Sequence, residues 1–266
     1  MGFAFLPLLW VSCSPGACPP PGSAGSYLCR PAYCLDTVLR GPLEPYCPQP
    51  GDIFLATDQA RWARLGHWAA GAHGVHHSGI IFLRSTGQPA LLEAGPFNSV
   101  QVETMDPLEH MLRHVECGDQ VWVRRRSVPL TPEQCARLTL FVEAQDGKPF
   151  ATWRLVGQLT SFRSRGKLRT RFVGKPRGDR RSYFCSELVT EACVAAGMLD
   201  PATARPAATY PRDLFFGKSS NPYLNKHLHL ECGWHPPARW TECPMPEAGL
   251  VVMPSLAAAK DRASSP

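Results

Sequence analysis

No apolar run in the chain approaches the roughly 20 residues that a membrane-spanning helix requires, so a transmembrane α-helix is not expected. No internal repeat is visible, which excludes a repeat architecture. Charged residues are scarce for a disordered chain, 19% against 44% hydrophobic, and wholesale disorder is excluded on composition. The basic residues are not interleaved with aromatics and no nucleic-acid-binding motif accompanies them, so nucleic acid is not an expected partner. No metal or organic cofactor motif is complete. Nothing near the C-terminus reads as a retention or anchoring signal.

What is present is enough chain for a substantial core: 266 residues, one fairly large domain or two small ones. The net charge of +6 and a pI near 8.8 point weakly to contact with something anionic. With 27 prolines and 22 glycines, loops and short elements are expected. Of the 11 cysteines, Cys13, Cys18, Cys29, Cys34 and Cys47 crowd the N-terminal region, where Cys13/Cys18 and Cys29/Cys34 share a C-x₄-C spacing. The Pro-rich sequence around them gives no zinc-finger pattern, and disulfides or plain thiols are the favoured reading. An apolar stretch from Phe3 to Val11 resembles a short signal segment but lacks a preceding Lys or Arg, and "LWVSC" resembles a lipoprotein cleavage site with Trp10 out of place. Export to the cell envelope and a cytoplasmic location both stay open, and with them the cysteine redox state.

Three regions are expected: a Pro/Cys-rich lead over 1–48, read as an irregular arm; a folded domain over 49–218; and a Pro-rich extension over 219–266, loosely patterned. Within the domain, "PGDIFLAT" reads as a turn followed by a strand, and Thr57 or Asp58 can cap a helix through Gly66 and Ala70. "VHHSGIIFL", "PALLEA", "SVQVETM" and "DQVWVRRR" read as further strands, the first two joined tightly through Gly87-Gln88-Pro89. Asp106 caps a short helix ending near His114. "TPEQ" at Thr131 is a helix start with Pro at the first position and Gln134 completing a capping box; Gly147 stops that helix.

"YFCSELVTEA" sets Cys185 at the first turn of a helix whose buried stripe is Leu188, Val189, Ala192 and Cys193. A helix N-terminus carries partial positive charge, which favours a thiolate, and the Cys185 N–H is one of the orphan donors that can hold an oxyanion. The plainer reading is a small buried thiol that only packs. A base is available in "HGVHHSGIIFL", from His73, His76 or His77. His77, Gly79 and Ile81 share one face of the strand, and Gly79 leaves room for a substrate. Adjacent histidines at a strand start are equally well read as surface polar residues. Glu93 closes an apolar strand next to the one bearing His77, where an acidic residue calls for a partner; across adjacent strands it could accept the imidazole Nδ1 proton. Otherwise it has simply reached solvent.

In their order, "PGDIFL", "HSGI", "LLEAG", "YFCSELV" and "TYPRDLFF" resemble the YiiX/YaeF-like permuted papain-like amidases, a branch of the NlpC/P60 superfamily. The likeness runs from about Pro50 to Leu214. It implies an α+β, circularly permuted papain-like fold with a small antiparallel sheet from the 51–125 region packed on the Cys185 helix. It also implies an amidase- or peptidase-like cysteine hydrolase with Cys185 as nucleophile, His77 as base and Glu93 as orienting residue, needing no metal or cofactor. The resemblance selects His77 over His76, through its His-x-Gly. Ser186 and Glu187 are expected to cap and support the helix start, and Asp52 to shape the strand start. The substrate expected is a peptide, cell-wall or lipid-derived amide or ester; related permuted members transfer or cleave lipid acyl groups, and a non-catalytic binder is the rival class. The basic stretch from Arg163 to Arg181 departs from the family pattern. It reads as a solvated loop or as a cationic rim for an anionic substrate or surface.

Overall fold

A computed structural model of the chain describes residues 25–242, apart from 31, 36–38, 40, 60–73, 96–98, 159, 161–166, 173, 220 and 226–227. The N-terminal apolar stretch, His73, most of the helix expected after Thr57 and the first four residues of the basic stretch therefore lie outside the described residues.

Alternating apolar residues build the centre of the fold. Strands β3 (Ile53–Ala56), β4 (His77–Leu83), β5 (Pro89–Gly95), β6 (Gln101–Met105) and β7 (Val121–Arg124) pair antiparallel, with β3 between β7 and β4. The β4–β5 turn closes where glycine was expected to permit it, at Gly87, whose φ is +80°. Because successive side chains point to opposite faces, each strand feeds two cores. Ile53, Leu55, Ile80 and Leu92 pack with Leu188, Val189 and Ala192 of one helix and Leu138 and Val142 of another. Phe54, Ala56, Ile81, Leu91, Val121 and Val123 pack on the opposite face with Met111.

The helices follow their caps. Helix α1 (Pro107–Glu116) starts at Asp106, whose carboxylate accepts from the Leu108 and Glu109 N–H groups, and its Met111, His110 and His114 turn inward. Helix α2 (Pro132–Gln145) has the full Thr131/Gln134 capping box. Short helices α3 (Thr152–Gly157) and α4 (Lys167–Phe172) precede α5 (Cys185–Ala195), which packs against β4, β5 and α2. Helices α6 (Pro211–Phe216) and α7 (Pro222–Asn225) follow.

The sheet is larger than the small one expected. Strands β1 (Tyr27–Cys29) and β2 (Leu43–Pro45), from the stretch read as an irregular arm, and β8 (Ala238–Thr241), from the stretch read as loosely patterned, extend it to eight in the order β2-β1-β8-β7-β3-β4-β5-β6. These are runs of three or four residues among prolines, too short to carry a period. Their partners in the sheet, not their own pattern, make them strands. Cys29 and Cys34 are not joined as a disulfide, so their matched spacing serves no pairing between them.

Asp52 ties the strand start together. One carboxylate oxygen accepts from the Arg126 N–H at 2.7 Å, and the other from the Gln49 N–H and the buried Tyr46 hydroxyl, both at 3.1 Å. It is fully buried, so its removal leaves three donors without an acceptor. We expect Asp52→Ala to lower unfolding free energy by about 3 kcal/mol in urea titration with little change in the m-value, whereas Tyr46→Phe, which removes one donor, costs about 1 kcal/mol.

Candidate active site

Cys185 is the first residue of α5, following Phe184 in extended conformation. Its position is set by the buried apolar residues behind it: Leu188, Val189 and Ala192 are fully covered and hold the helix on the sheet. The thiol reaches the start of β4, where Sγ lies 3.9 Å from the His76 carbonyl, close enough to the neighbouring His77 imidazole for a thiolate there to favour its charged form. As the first residue of the helix, Cys185 has an N–H that precedes the i→i−4 ladder.

His77 and Glu93 come from neighbouring strands. In the β4–β5 register Gly79 faces Glu93, so the next outward pair on that face would set His77 opposite Gly95. That pairing explains the glycine. A Cβ built on Gly95 would stand 2.4 Å from His77 Cε1, so the imidazole fits only over a residue without a side chain. Glu93 then meets the ring diagonally, and Nε2, not the expected Nδ1, is the nitrogen 2.7 Å from Glu93 Oε2. His76, the alternative base, points elsewhere: its Nδ1 accepts from the Asp58 N–H at 3.1 Å.

The Glu93 carboxylate, for which a solvent-exposed strand end was the alternative reading, is 2% exposed and sits inside a cluster. His110 Nε2 lies 2.9 Å from the same Oε2, His114 Nε2 lies 3.1 Å from His110 Nε2, and His114 Nδ1 lies 2.8 Å from Asp119 Oδ2. Phe54 lies against the rings of His77, His110 and His114, with centroids 6.1, 5.6 and 5.3 Å away. Sequence reasoning missed His110, His114 and Asp119. The signal was in "EHMLRHVE", two histidines four apart on a helix and so on one face, with an acid just past the helix end.

Burial alone would push the His77 imidazole down. The negative charge of Glu93 and the bonds to Cys185 and Glu93 outweigh it and hold His77 well above the usual histidine range. Burial opposes ionisation of Glu93 too, but the His77 charge and the bonds from His110 and His77 hold it well below the usual carboxylate range. Burial holds the His114 imidazole below its ordinary value, against the pull of Asp119. An ion pair taken this far out of water holds only when its remaining hydrogen-bonding capacity is filled, and His110 fills it here.

Ser186 and Glu187 do not cap α5. The Ser186 hydroxyl donates to the Thr209 carbonyl at 2.7 Å, and the Glu187 carboxylate pairs with Arg154 and Arg180. Glu191 accepts from the Arg177 and Gly178 N–H groups and the Arg180 guanidinium. The end of the basic stretch, read as a solvated loop, is thus tied to α5 by two buried carboxylates. The motif acids serve that loop and not the thiol. Glu93, His110 and His114 offer donor atoms within 4.8 Å of one another and are the described residues that could hold a metal. A separate cavity of about 470 Å³ is lined by Tyr33, Arg212, Asp213, Phe216, Lys218 and Ser219, and neither Cys185 nor His77 is among its walls.

No protein-family profile matches the chain, and no curated protein matches it. Among solved structures the chain is similar to one described as the crystal structure of metalloprotein YiiX from Escherichia coli O157:H7, DUF1105. The likeness has 23% identity and a TM-score of 0.38, and covers 56% of this chain and 66% of that one. It is a partial likeness.

The Gly95 contact gives a direct test of the site's geometry. Gly95→Ala must displace the His77 ring, and a shift of that size is expected to slow alkylation of Cys185 about 100-fold, followed by peptide-resolved mass spectrometry. Cys193 is the internal reference: it is buried, its thiol is pushed up to about 12 by burial, and it is expected to stay unlabelled in the folded protein and in the variant.

Proposed function

We propose that the protein is a cysteine hydrolase of permuted papain-like design that cleaves an amide or ester bond through an acyl-enzyme, with Cys185 as nucleophile, His77 as base and Glu93 as the residue orienting the ring. The observation that carries this reading is convergence: the Cys185 thiol at a helix start lies 3.9 Å from the His76 carbonyl at the entry to β4, and the imidazole of the next residue, His77, lies 2.7 Å from the Glu93 carboxylate on the neighbouring strand. A packing cysteine needs no imidazole, and an imidazole on a sheet needs no buried carboxylate behind it.

With Nε2 committed to Glu93, Nδ1 is the ring nitrogen left to take the Cys185 proton. Sulfur then attacks the substrate carbonyl carbon, and the new oxyanion falls near the first N–H of α5, at the positive end of the helix. The imidazolium returns its proton to the departing amine or alcohol, leaving a thioester. Water, losing a proton to His77, attacks the thioester, the acid leaves, and the thiol is restored. Glu93 keeps the ring in one tautomer and offsets its charge while the proton is held.

A second reading, a thiol enzyme acting on lipid acyl groups, is favoured by one feature. Trp153 of α3 and Phe172 of α4 are 87% and 71% exposed, and Arg171, Lys175 and Arg177 are exposed close by in sequence. Large apolar side chains among cations suit a surface of anionic lipid.

Cys185→Ala is expected to abolish hydrolysis and Cys193→Ala to leave it within about twofold, because Cys193 only packs. Glu93→Gln is expected to lower kcat about 100-fold with KM little changed, since it alters ring orientation and not substrate binding. Release of amine from a peptide amide, compared with release of fatty acid from phospholipid vesicles, separates the two substrate classes. Hydrolysis that survives in Cys185→Ala overturns the reading.

A further inference from the structure

Two imidazole nitrogens 3.1 Å apart, both fully buried, present a question of proton count. His114 Nδ1 faces the Asp119 carboxylate at 2.8 Å, an acceptor, so that nitrogen carries the proton. His114 Nε2 is therefore a lone pair, directed at His110 Nε2. His110 Nε2 in turn faces the lone pair of His114 and the Oε2 of Glu93 at 2.9 Å. Three electron-pair donors, one from an acid and two from imidazoles, converge with a single shared hydrogen among them.

That is the arrangement of a metal site held together by a proton. The spacing of His110 and His114 places both rings on one face of α1, and Glu93 comes from β5 across from them. The three donor atoms lie within 4.8 Å of one another, a spread that an ion about 2.0 to 2.2 Å from each can span with small side-chain movements. Asp119 supplies what a histidine ligand ordinarily needs behind it, a carboxylate on the other ring nitrogen that fixes the tautomer. The Phe54 ring against both histidines forms an apolar wall.

We propose that Glu93, His110 and His114 form a binding site for a divalent transition-metal ion of the zinc class, with Asp119 bracing His114. Two imidazoles and one carboxylate suit Zn²⁺ or Co²⁺ and disfavour Ca²⁺ and Mg²⁺, which take mostly oxygen ligands. Loading requires His110 to move its proton from Nε2 to Nδ1 or to solvent, and the ion then takes the place of that hydrogen. The site has a second consequence, which rests on the hydrolase reading above. The oxygen that the ion would take is the one that His77 holds, so a bound ion draws Glu93 from the ring and slows turnover. The site is thus inhibitory and not a source of chemistry.

The test uses the full chain with Cys185→Ala, which removes the thiol beside His77 and makes the result independent of turnover. Titration with Co²⁺ is expected to give one equivalent bound with visible d–d bands and no thiolate-to-cobalt charge transfer. His110→Gln and His114→Gln should each weaken binding more than 100-fold, and Asp119→Asn should weaken it about 10- to 100-fold. Zn²⁺ should raise the thermal midpoint of the parent and not of the His110→Gln protein, which also reports that this variant is folded. A charge-transfer band, or an affinity unchanged by His110→Gln and Asp119→Asn, assigns the ion to the cysteines and overturns the proposal. So does no saturable binding at all, which leaves the cluster a hydrogen-bonded network. In the Cys185-containing protein, inhibition by Zn²⁺ that chelator reverses and that His114→Gln abolishes supports the competition for Glu93; inhibition that His114→Gln leaves intact overturns it.

Discussion

Everything at the candidate site depends on one contact, the His77 imidazole against the Glu93 carboxylate in the interior of the sheet. Isolated, either group would be costly to bury in its charged form, by several kcal/mol. Together, with His110 donating to the same oxygen, they form a compensated pair. The contact is made by register. A slip of one residue between β4 and β5 would send Glu93 to the opposite face, into the packing of Leu92 and Ala94. The register is held in turn by the two apolar sets, one on each face of β4 and β5. The cores that stabilise the fold therefore also aim the imidazole, and mutations in either are coupled to the site.

Glycine completes that geometry in a way no side chain can. The ring occupies the space above Gly95, and β5 has no other side chain on that face until Glu93. Where the thiol meets the ring, the constraint comes from the helix. Helix α5 is buried on nearly every side, including Glu187 and Glu191, whose charges are matched by Arg154, Arg180 and backbone N–H groups of the preceding loop. A helix held on all faces does not drift along its axis, which keeps its first residue at the mouth of β4.

The parts of this structure legible in the sequence are those with a local cause. Periodicity marked β3 through β7, capping chemistry marked the starts of α1 and α2, and the helix-start position of Cys185 followed from its apolar stripe. His77 and Glu93 could be placed on adjacent strands because a tight turn joins them. What escaped had non-local causes. β1, β2 and β8 are three- and four-residue strands that exist only because a sheet edge accepts them. Which ring nitrogen meets Glu93 depends on a diagonal offset that spacing does not report. Ser186 and Glu187 looked like caps because capping residues occur at helix starts, yet the structure uses them to hold Thr209 and two arginines. The His110/His114 pair carried a readable signal, helical spacing on one face, but nothing in the sequence said that this face would turn toward Glu93.

The cluster behind Glu93 bears on the ring in front of it. A carboxylate oxygen has two lone pairs in its plane, and Oε2 spends both, one on His77 Nε2 and one on His110 Nε2. With both engaged, rotation of the carboxylate would break two charge-assisted bonds at once, so the oxygen is fixed more firmly than a single partner would fix it. His110 is itself held by His114, and His114 by Asp119, so the restraint passes to α1 and the segment after it. The rigidity of the His77 ring thus originates outside the strands that carry it. The same saturation means that no new partner can reach Oε2 without one of the two imidazoles giving way.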